Sequence, residues 1–255
     1  MPILERAGAK LNYEVHGSGP ALILTHGYSA TLEMWQGQVE PLSRGHTLVL
    51  WDMRGHGKTE GPADPALYSE AETVADIAAL LDAVHAERAV VGGLSLGGYM
   101  SLAFHLTHPE RVRALLILDT GPGFRRTEAR EAWNERAMET AERLESQGLD
   151  LLRELSPERA TSKHLSAAGL AMAARGMLTQ RDARVIDSLP AIRVPSLVVV
   201  GDKDAPFLGS ADYMAARIPG AKKVLIPNAG HASNMDQPQA FNAAVLDFLK
   251  RLPAG

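Results

Sequence analysis

The stretch VVGGLSLGGYM, residues 90–100, surrounds one serine with four glycines, after an apolar run and before a helix-like run. A tight turn from a strand into a helix forces its central residue into a rarely populated backbone conformation and brings the strand and helix backbones together. Gly93 and Gly97, two residues before and two residues after Ser95, remove the side chains that would obstruct this approach. The stretch therefore predicts a bend that exposes the Ser95 hydroxyl above the carboxyl end of a strand.

Glycine-rich turns before helices also occur in nucleotide-binding folds. A dinucleotide-binding fingerprint needs spaced glycines in the first strand–helix turn, whereas GGLSLGG lacks that spacing and follows several predicted strands. The stretch RGHGKTE contains Gly57, Lys58 and Thr59 in succession, but a phosphate-binding P-loop needs a glycine where Asp52 stands. Both nucleotide motifs fail, which leaves the bend as the role of the glycines.

Short apolar runs rich in β-branched residues recur along the chain, at residues 21–25, 46–51, 89–94, 114–119, 196–200 and 223–226. Their apolar residues do not alternate with polar ones, which is typical of strands that are buried on both faces. Helical patterns lie between several of these runs, and the first residues of the chain have the pattern of a hairpin. We therefore expect an α/β fold: a mostly parallel sheet with helices on both faces and an antiparallel edge.

One segment interrupts the alternation of strands and helices. Residues 121–192 contain helix-type sequence and no convincing strand, so we expect a helical cap (lid) inserted into a core made of residues 1–120 and 193–255. Trp133 and Met138 are candidate substrate-binding residues in an apolar pocket below this cap, although packing of the cap onto the core is an equally good interpretation of each.

Two arginines at the start of the cap raise the question of a charged substrate. Arg125 or Arg126 could hold a substrate carboxylate, but exposed arginines are common on any surface. The sequence leaves both interpretations open, and it indicates no oligomeric state.

The composition restricts the classes of function. A net charge of −4 and the lack of a basic patch argue against nucleic acid and against an anionic membrane surface as partners. The 255 residues include no cysteine, which excludes disulfides and thiolate chemistry. The first residues lack the apolar core of a signal peptide, and no apolar run has the length of a membrane span, so a cytoplasmic protein is expected.

A serine nucleophile requires a base and an acid that orients the base. His231 follows the last predicted strand, in NAGHASNMDQP, and is the candidate base. The preceding strand ends in VVVGDKDAPF, which offers Asp202 and Asp204. We favour Asp204 because it lies deeper in the turn, whereas Asp202 is expected to form hydrogen bonds within the loop; Asp119 is a further alternative. The chain order Ser, Asp, His is the order in α/β-hydrolases.

The oxyanion of the reaction needs two preorganised N–H donors. The stretch LTHGYSA places a His-Gly turn after a strand, and this turn predicts the backbone N–H of Tyr28 as one donor. The N–H of Leu96, at the start of the helix, is the other. Other histidines, among them His105, His108 and His164, lack such a context, and we expect them to lie on the surface or to pack in the core.

Together these pieces resemble the α/β-hydrolase superfamily with a helical cap, and within it the group of esterases and 3-oxoadipate enol-lactonases. The stretches that carry the resemblance are THGYSA, WDMRGHGKTE, VVGGLSLGGYMSL, HPERVRALLILDT, VVVGDKDAP and NAGHASNMDQP, and they span nearly the whole chain outside the cap. Thr59 stands where that group more often has serine. A serine at position 95 argues against the dehalogenases of this fold, which have an aspartate there.

The resemblance implies that Ser95, His231 and Asp204 hydrolyse a small-molecule ester or lactone through an acyl-enzyme, with no metal or organic cofactor. Two alternatives remain at this stage: a cofactor-free haloperoxidase or perhydrolase with the same triad, and a receptor of the same fold that binds a ligand in its pocket.

Overall fold

The strands form a single sheet in the part of the chain that the computed structural model describes, which is residues 2–155, 159 and 162–253. The eight described strands lie in the order β1-β2-β4-β3-β5-β6-β7-β8. The hairpin β1–β2 is antiparallel, β2 pairs antiparallel with β4, and the remaining neighbours are parallel. The expected mostly parallel sheet with an antiparallel edge is therefore confirmed. The strands are β1 Ile3–Arg6, β2 Ala9–His16, β3 Ala21–Thr25, β4 Thr47–Trp51, β5 Ala89–Leu94, β6 Val112–Leu118, β7 Ser196–Gly201 and β8 Lys222–Ile226.

The central strands are apolar throughout because both of their faces are covered. Successive side chains of a strand point to opposite faces, so Leu22 and Leu24 of β3 pack into one hydrophobic core while Ile23 packs into the other. The helices that cover the sheet are α1 Gln36–Ser43, α2 Glu70–Ala83, α3 Leu96–Thr107, α8 Ala205–Arg217, α9 Ser233–Asp236 and α10 Pro238–Lys250. Residues of α2 and α3 pack in the same hydrophobic core as Ile23, and residues of α1 and α10 pack in the same core as Leu22 and Leu24.

Between β6 and β7 the described residues form helices and turns and no strand. The longest helix, α4, presents Ala137, Ala141 and Leu144 as its buried side chains, and Leu170 of α6 lies in the same apolar cluster as the last two. The α-helices whose bounds the structure describes in this segment are α4 Thr127–Gln147, α5 Leu152–Leu155, α6 Ala167–Ala173 and α7 Arg184–Ser188. Residues 156–158, 160 and 161 of the predicted cap lie outside the described residues.

The sheet order brings the predicted site residues to one edge. Strands β3, β5, β6, β7 and β8 are neighbours and run parallel, so their carboxyl ends lie side by side. Shortly after these ends come Tyr28, Ser95, Asp119, Asp204 and His231, in that order. Residues far apart along the chain therefore meet above the carboxyl edge, where open α/β sheets bind their ligands.

Candidate active site

Ser95 lies at the turn between β5 and α3 in a strained backbone conformation, with φ 55° and ψ −118°. A side chain on Gly93 would bring its Cβ within 2.6 Å of the carbonyl oxygen of Thr25, and one on Gly97 would collide with the same carbonyl group. The main-chain N–H of Ser95 donates to the carbonyl oxygen of Leu118 at 3.0 Å, which anchors the turn to β6. The strain of about 1–3 kcal/mol that such a conformation costs is therefore held by the surrounding packing.

His231 and Asp204 form a hydrogen-bonded pair in the same cavity that Ser95 lines. The Nδ1 atom of His231 lies 2.9 Å from Oδ2 of Asp204, whose side chain is buried while that of His231 is 26% exposed. Phe207 stacks on the imidazole at a centroid distance of 4.8 Å and limits its rotation. With Nδ1 directed at the carboxylate, Nε2 is the imidazole nitrogen that remains for proton transfer.

The two other candidate acids hold the loops around this pair. Asp202 is partly exposed and accepts a hydrogen bond from the N–H of Ala229 at 3.2 Å, so its carboxylate contacts the loop after β8 rather than its own loop. Asp119 is fully buried; it accepts from the N–H of Gly201 at 2.8 Å and from the hydroxyl of Ser233 through a very short hydrogen bond. Burial raises the pKa of Asp119 to about 7, against these two hydrogen bonds, which favour its ionised form. Asp119 thus ties the turn after β7 to the loop that carries His231.

Two hydrogen bonds in the loop after β3 fix the orientation of the peptide group between Gly27 and Tyr28. The carbonyl oxygen of Gly27 accepts from Nδ1 of His26 at 2.7 Å and from the N–H of Ala30 at 3.1 Å. Since Nε2 of His26 accepts from the N–H of Met53 at 3.0 Å, its ring proton is on Nδ1. In a trans peptide the C=O and the following N–H point in opposite directions, so these two bonds fix the direction of the N–H of Tyr28.

The second predicted donor belongs to the helix that Ser95 opens. Leu96 is the first residue of α3, so its N–H has no acceptor within the helix. Gly27 lies close to Ser95, since a Cβ at that position would be 3.4 Å from Cβ of the serine. Both Tyr28 and Leu96 line the cavity. The fold therefore brings Tyr28 and Leu96, the residues of the two predicted donors, to the cavity that Ser95 lines.

The cavity has a volume of about 570 Å³, which is within the ordinary range for small-molecule sites. Trp133 lines it; its ring contacts that of Phe124 in a tilted arrangement, with a centroid distance of 5.9 Å, and its Nε1 donates to the carbonyl oxygen of Leu178 at 2.8 Å. One face of α4 supplies Trp133 together with Arg136, Thr140 and Arg143, at helical spacings of three and four residues. The other lining side chains include Tyr99, Phe124, Leu151, Arg159, Leu178, Gln180, Pro206, Phe207 and Ser210.

Met138, predicted to bind substrate, does not line this cavity. Its side chain is 38% exposed and its sulfur lies 3.7 Å from Nη1 of Arg175 on the surface. The reason is its helical phase: a residue two positions after Arg136 is turned by about 200° around the helix axis. The arginines at the start of the segment do not line the cavity either. Arg125 pairs with Asp187 and Arg126 with Glu128.

Three arginines that sequence reasoning missed line the cavity instead: Arg136, Arg143 and Arg159. The first two lie on the same face of α4 as Trp133. Counting on from that tryptophan in helical steps of three and four residues would therefore have identified them. Arg136 and Arg159 form no ion pair with a described residue. Burial raises the pKa of the Tyr28 hydroxyl, and the positive charge of Arg159 opposes this shift, which places that guanidinium near the ring.

Two other classes of site find no support among the described residues. None of the helices in the described ranges has both the length and the hydropathy needed to cross a membrane. In the same ranges, no cluster of three or more histidine, aspartate or glutamate side chains has a geometry that could hold a metal ion.

Comparison with known proteins agrees with this geometry. A family model described as the alpha/beta hydrolase fold matches residues 20–148. The chain is 29% identical to 3-oxoadipate enol-lactonase 2 of Acinetobacter baylyi, over 94% of this chain and 93% of that protein. Among solved structures, a thermophilic esterase from Thermogutta terrifontis has a TM-score of 0.86 and 29% identity, covering 96% of this chain and 95% of that one.

The enol-lactonase from Burkholderia xenovorans LB400 is also similar, with a TM-score of 0.78 and 27% identity over 98% of this chain and all of that chain. The two solved relatives cover nearly the full length, and they share the fold as well as part of the sequence. The chain therefore belongs to the α/β-hydrolase family, in the group of esterases and enol-lactonases, and it is a hydrolase of this fold.

Proposed function

We propose that the protein is a serine hydrolase that cleaves a carboxylic ester or lactone of small to medium size. The observation that carries the proposal is the strained turn at Ser95, which opens into the same cavity as the hydrogen-bonded pair of His231 and Asp204. These are the nucleophile, base and acid of acyl transfer. Similarity to esterases and enol-lactonases supports this substrate class.

In the proposed mechanism, Nε2 of His231 takes the proton of the Ser95 hydroxyl while Oγ attacks the ester carbonyl carbon. The negative charge that develops on the carbonyl oxygen is stabilised by the N–H groups of Tyr28 and Leu96. His231 then gives its proton to the leaving alcohol, and an acyl-enzyme remains on Ser95. A water molecule repeats the sequence and releases the acid, while Asp204 stabilises the charged imidazole in both steps.

The segment of residues 121–192 is proposed to act as a lid over this site. Support comes from α4, whose face with Trp133 and Thr140 forms part of the lining of the cavity that Ser95 also lines. Apolar side chains such as Phe124 and Leu178 complete that wall. Exclusion of water from the cavity would strengthen the hydrogen bonds to the oxyanion.

The lining arginines favour a substrate that carries an acidic group beyond the scissile bond. Arg136 and Arg159 face the cavity without an ion pair to a described residue, and Asp204 is bonded to His231. We expect a p-nitrophenyl monoester of a dicarboxylic acid to have a higher kcat/KM than its methyl-capped neutral analogue, and added NaCl to reduce this preference. Arg136→Gln should reduce it too, whereas Arg126→Gln, outside the cavity, should not.

The main test is hydrolysis of p-nitrophenyl esters and of lactones by the wild type and by Ser95→Ala. Loss of an elbow nucleophile lowers kcat by about 10⁴-fold or more, and the variant should retain its circular dichroism spectrum and melting temperature. A folded Ser95→Ala protein with a tenth of the wild-type rate would refute the serine mechanism. A wild type that forms peracid from acetate and peroxide faster than it cleaves any ester would favour a perhydrolase.

A further inference from the structure

We propose that His164 is a positioning residue for the oxyanion hole: it holds the loop of Tyr28 and Ser29 in the conformation that directs the Tyr28 N–H at the substrate. This inference rests on the proposed serine mechanism, and it adds a residue from the segment between α5 and α6 that touches neither substrate nor nucleophile. The observation behind it is a pair of hydrogen bonds that one imidazole makes to two loops of the core.

The two bonds fix the chemical state of the ring. The N–H of Gly57 donates to Nδ1 of His164 at 3.0 Å, and because a backbone N–H can only donate, Nδ1 must be unprotonated. The ring proton is then on Nε2, which donates to the carbonyl oxygen of Ser29 at 3.1 Å. Only a neutral imidazole in this tautomer makes both bonds, and it bridges the loop after β3 to the loop after β4.

The surroundings of His164 keep it neutral. Burial lowers the pKa of His164 to about 4, and the nearby His26 lowers it further, while its bond to Ser29 and the charge of Asp52 oppose the shift. The ring of His56 packs against it edge-on at 5.9 Å. Its hydrogen bonds are therefore present throughout the neutral pH range.

The loop that contains Ser29 has an unfavourable backbone conformation, which other contacts must stabilise. Ser29 has a φ of 58°, a left-handed conformation that serine adopts rarely, and its hydroxyl donates to the carbonyl oxygen of Tyr28 at 2.7 Å. The Tyr28 hydroxyl donates to the carbonyl oxygen of Leu170 in α6 at 2.9 Å. The segment between β6 and β7 thus ties Tyr28 and Ser29 directly, while His26 orients the peptide group from inside the core.

This arrangement makes a specific kinetic prediction. An oxyanion donor interacts with the tetrahedral intermediate more strongly than with the substrate, so its displacement lowers kcat and leaves KM nearly unchanged. Loss of the bond from His164 to Ser29 should lower kcat by about 10- to 100-fold. The affinity for a boronic acid, which forms a tetrahedral adduct on Ser95, should fall by the same factor.

Two substitutions separate the two hydrogen bonds. The amide of glutamine reaches the position of Nε2, so His164→Gln keeps a donor for Ser29 and loses the acceptor for Gly57. The shorter asparagine places its oxygen near the position of Nδ1, so His164→Asn keeps the acceptor and loses the donor. We expect kcat within about threefold of wild type for His164→Gln and a loss of about tenfold or more for His164→Asn.

A matched control removes support from the same segment without removing a hydrogen bond to the loop of Tyr28 and Ser29. The hydroxyl of Ser166 accepts from the N–H of Gly169 at 3.0 Å and caps α6, so Ser166→Ala should lower the melting temperature with little effect on kcat per folded molecule. Rates are expressed per folded molecule, from circular dichroism at the assay temperature. This separates a local loss of stability from a change in the oxyanion hole.

The outcomes distinguish this inference from the proposed function. An inactive Ser95→Ala together with a loss in His164→Asn that exceeds the loss in His164→Gln supports both. An inactive Ser95→Ala with wild-type kcat in both His164 variants, or with equal losses that Ser166→Ala reproduces, overturns the positioning role alone. An active Ser95→Ala overturns the serine mechanism and the positioning role with it.

Discussion

At the scale of single residues, two aspartates two positions apart differ in what they touch. Asp204 is buried and bonded to Nδ1 of His231, whereas Asp202 is partly exposed and its carboxylate accepts from the N–H of Ala229 in the loop after β8. We predict that Asp204→Asn lowers kcat by about 10⁴-fold, because an amide selects the wrong imidazole tautomer and does not stabilise the imidazolium. Asp202→Asn should change kcat by less than about threefold.

Steady-state kinetics on one p-nitrophenyl ester, with circular dichroism as the check on folding, compares the two variants. If Asp202→Asn proved the more damaging, the acid of the triad would be wrongly assigned. If neither mattered, Asp119 would become the candidate acid, since it lies buried between the same loops.

At the scale of elements, the helical phase of α4 decides which of its residues meet substrate. Trp133 lines the cavity, while Met138 on the same helix is on the surface. Trp133→Ala should therefore change the chain-length preference in kcat/KM across an ester series more than the rate on the acetate ester. Met138→Ala should leave that preference unchanged, and it serves as the control for any loss of stability in α4.

A uniform decrease over all chain lengths in Trp133→Ala would mean that the indole only holds the segment together, through its bond to Leu178. An unchanged profile at the wild-type rate would place the side chain outside the region that the acyl group occupies. Either result would contradict the proposed lid function of α4.

At the scale of the whole molecule, buried titratable groups couple stability to pH in opposite directions. Burial lowers the pKa values of His26, His56 and His164, the last to about 4. The unfolded chain binds protons at these histidines below about pH 6.5 while the native chain does not, so they reduce the free energy of unfolding as the pH falls from 6.5 toward 4.

Asp119, whose pKa is raised to about 7, has the opposite effect. The native chain holds its proton between about pH 4 and 7 while the unfolded chain does not, so Asp119 reduces the free energy of unfolding as the pH rises through that range.

Urea unfolding at pH 7 and at pH 4.5 measures this balance. We expect the wild type to have the smaller free energy of unfolding at pH 4.5, because three histidines outweigh one aspartate. His164→Gln should lose less stability on acidification than the wild type, and Asp119→Asn should lose more. A wild-type free energy of unfolding that rose between pH 7 and pH 4.5 would show that the histidine contribution is smaller than that of Asp119.

Much of the fold and part of the site follow from residues that are neighbours along the chain. The apolar runs predicted the strands because a strand buried on both faces has no polar positions, and the glycines around Ser95 predicted the turn because the two backbones touch there. The positions of Asp204 and His231 after consecutive parallel strands predicted that they would meet. These inferences depend only on local sterics and on the order of the strands.

The remaining features depend on how α4 and the segment after it lie against the core. Arg136 faces the cavity and Met138 faces solvent because of the rotation of α4 about its axis, which is set by its contacts with α6. His164 has no motif around it, and its partners Gly57 and Ser29 are more than a hundred residues away in the sequence. Hydrogen bonds from a side chain to backbone groups far away in the sequence leave no local pattern, so this residue could be found only from the tertiary structure.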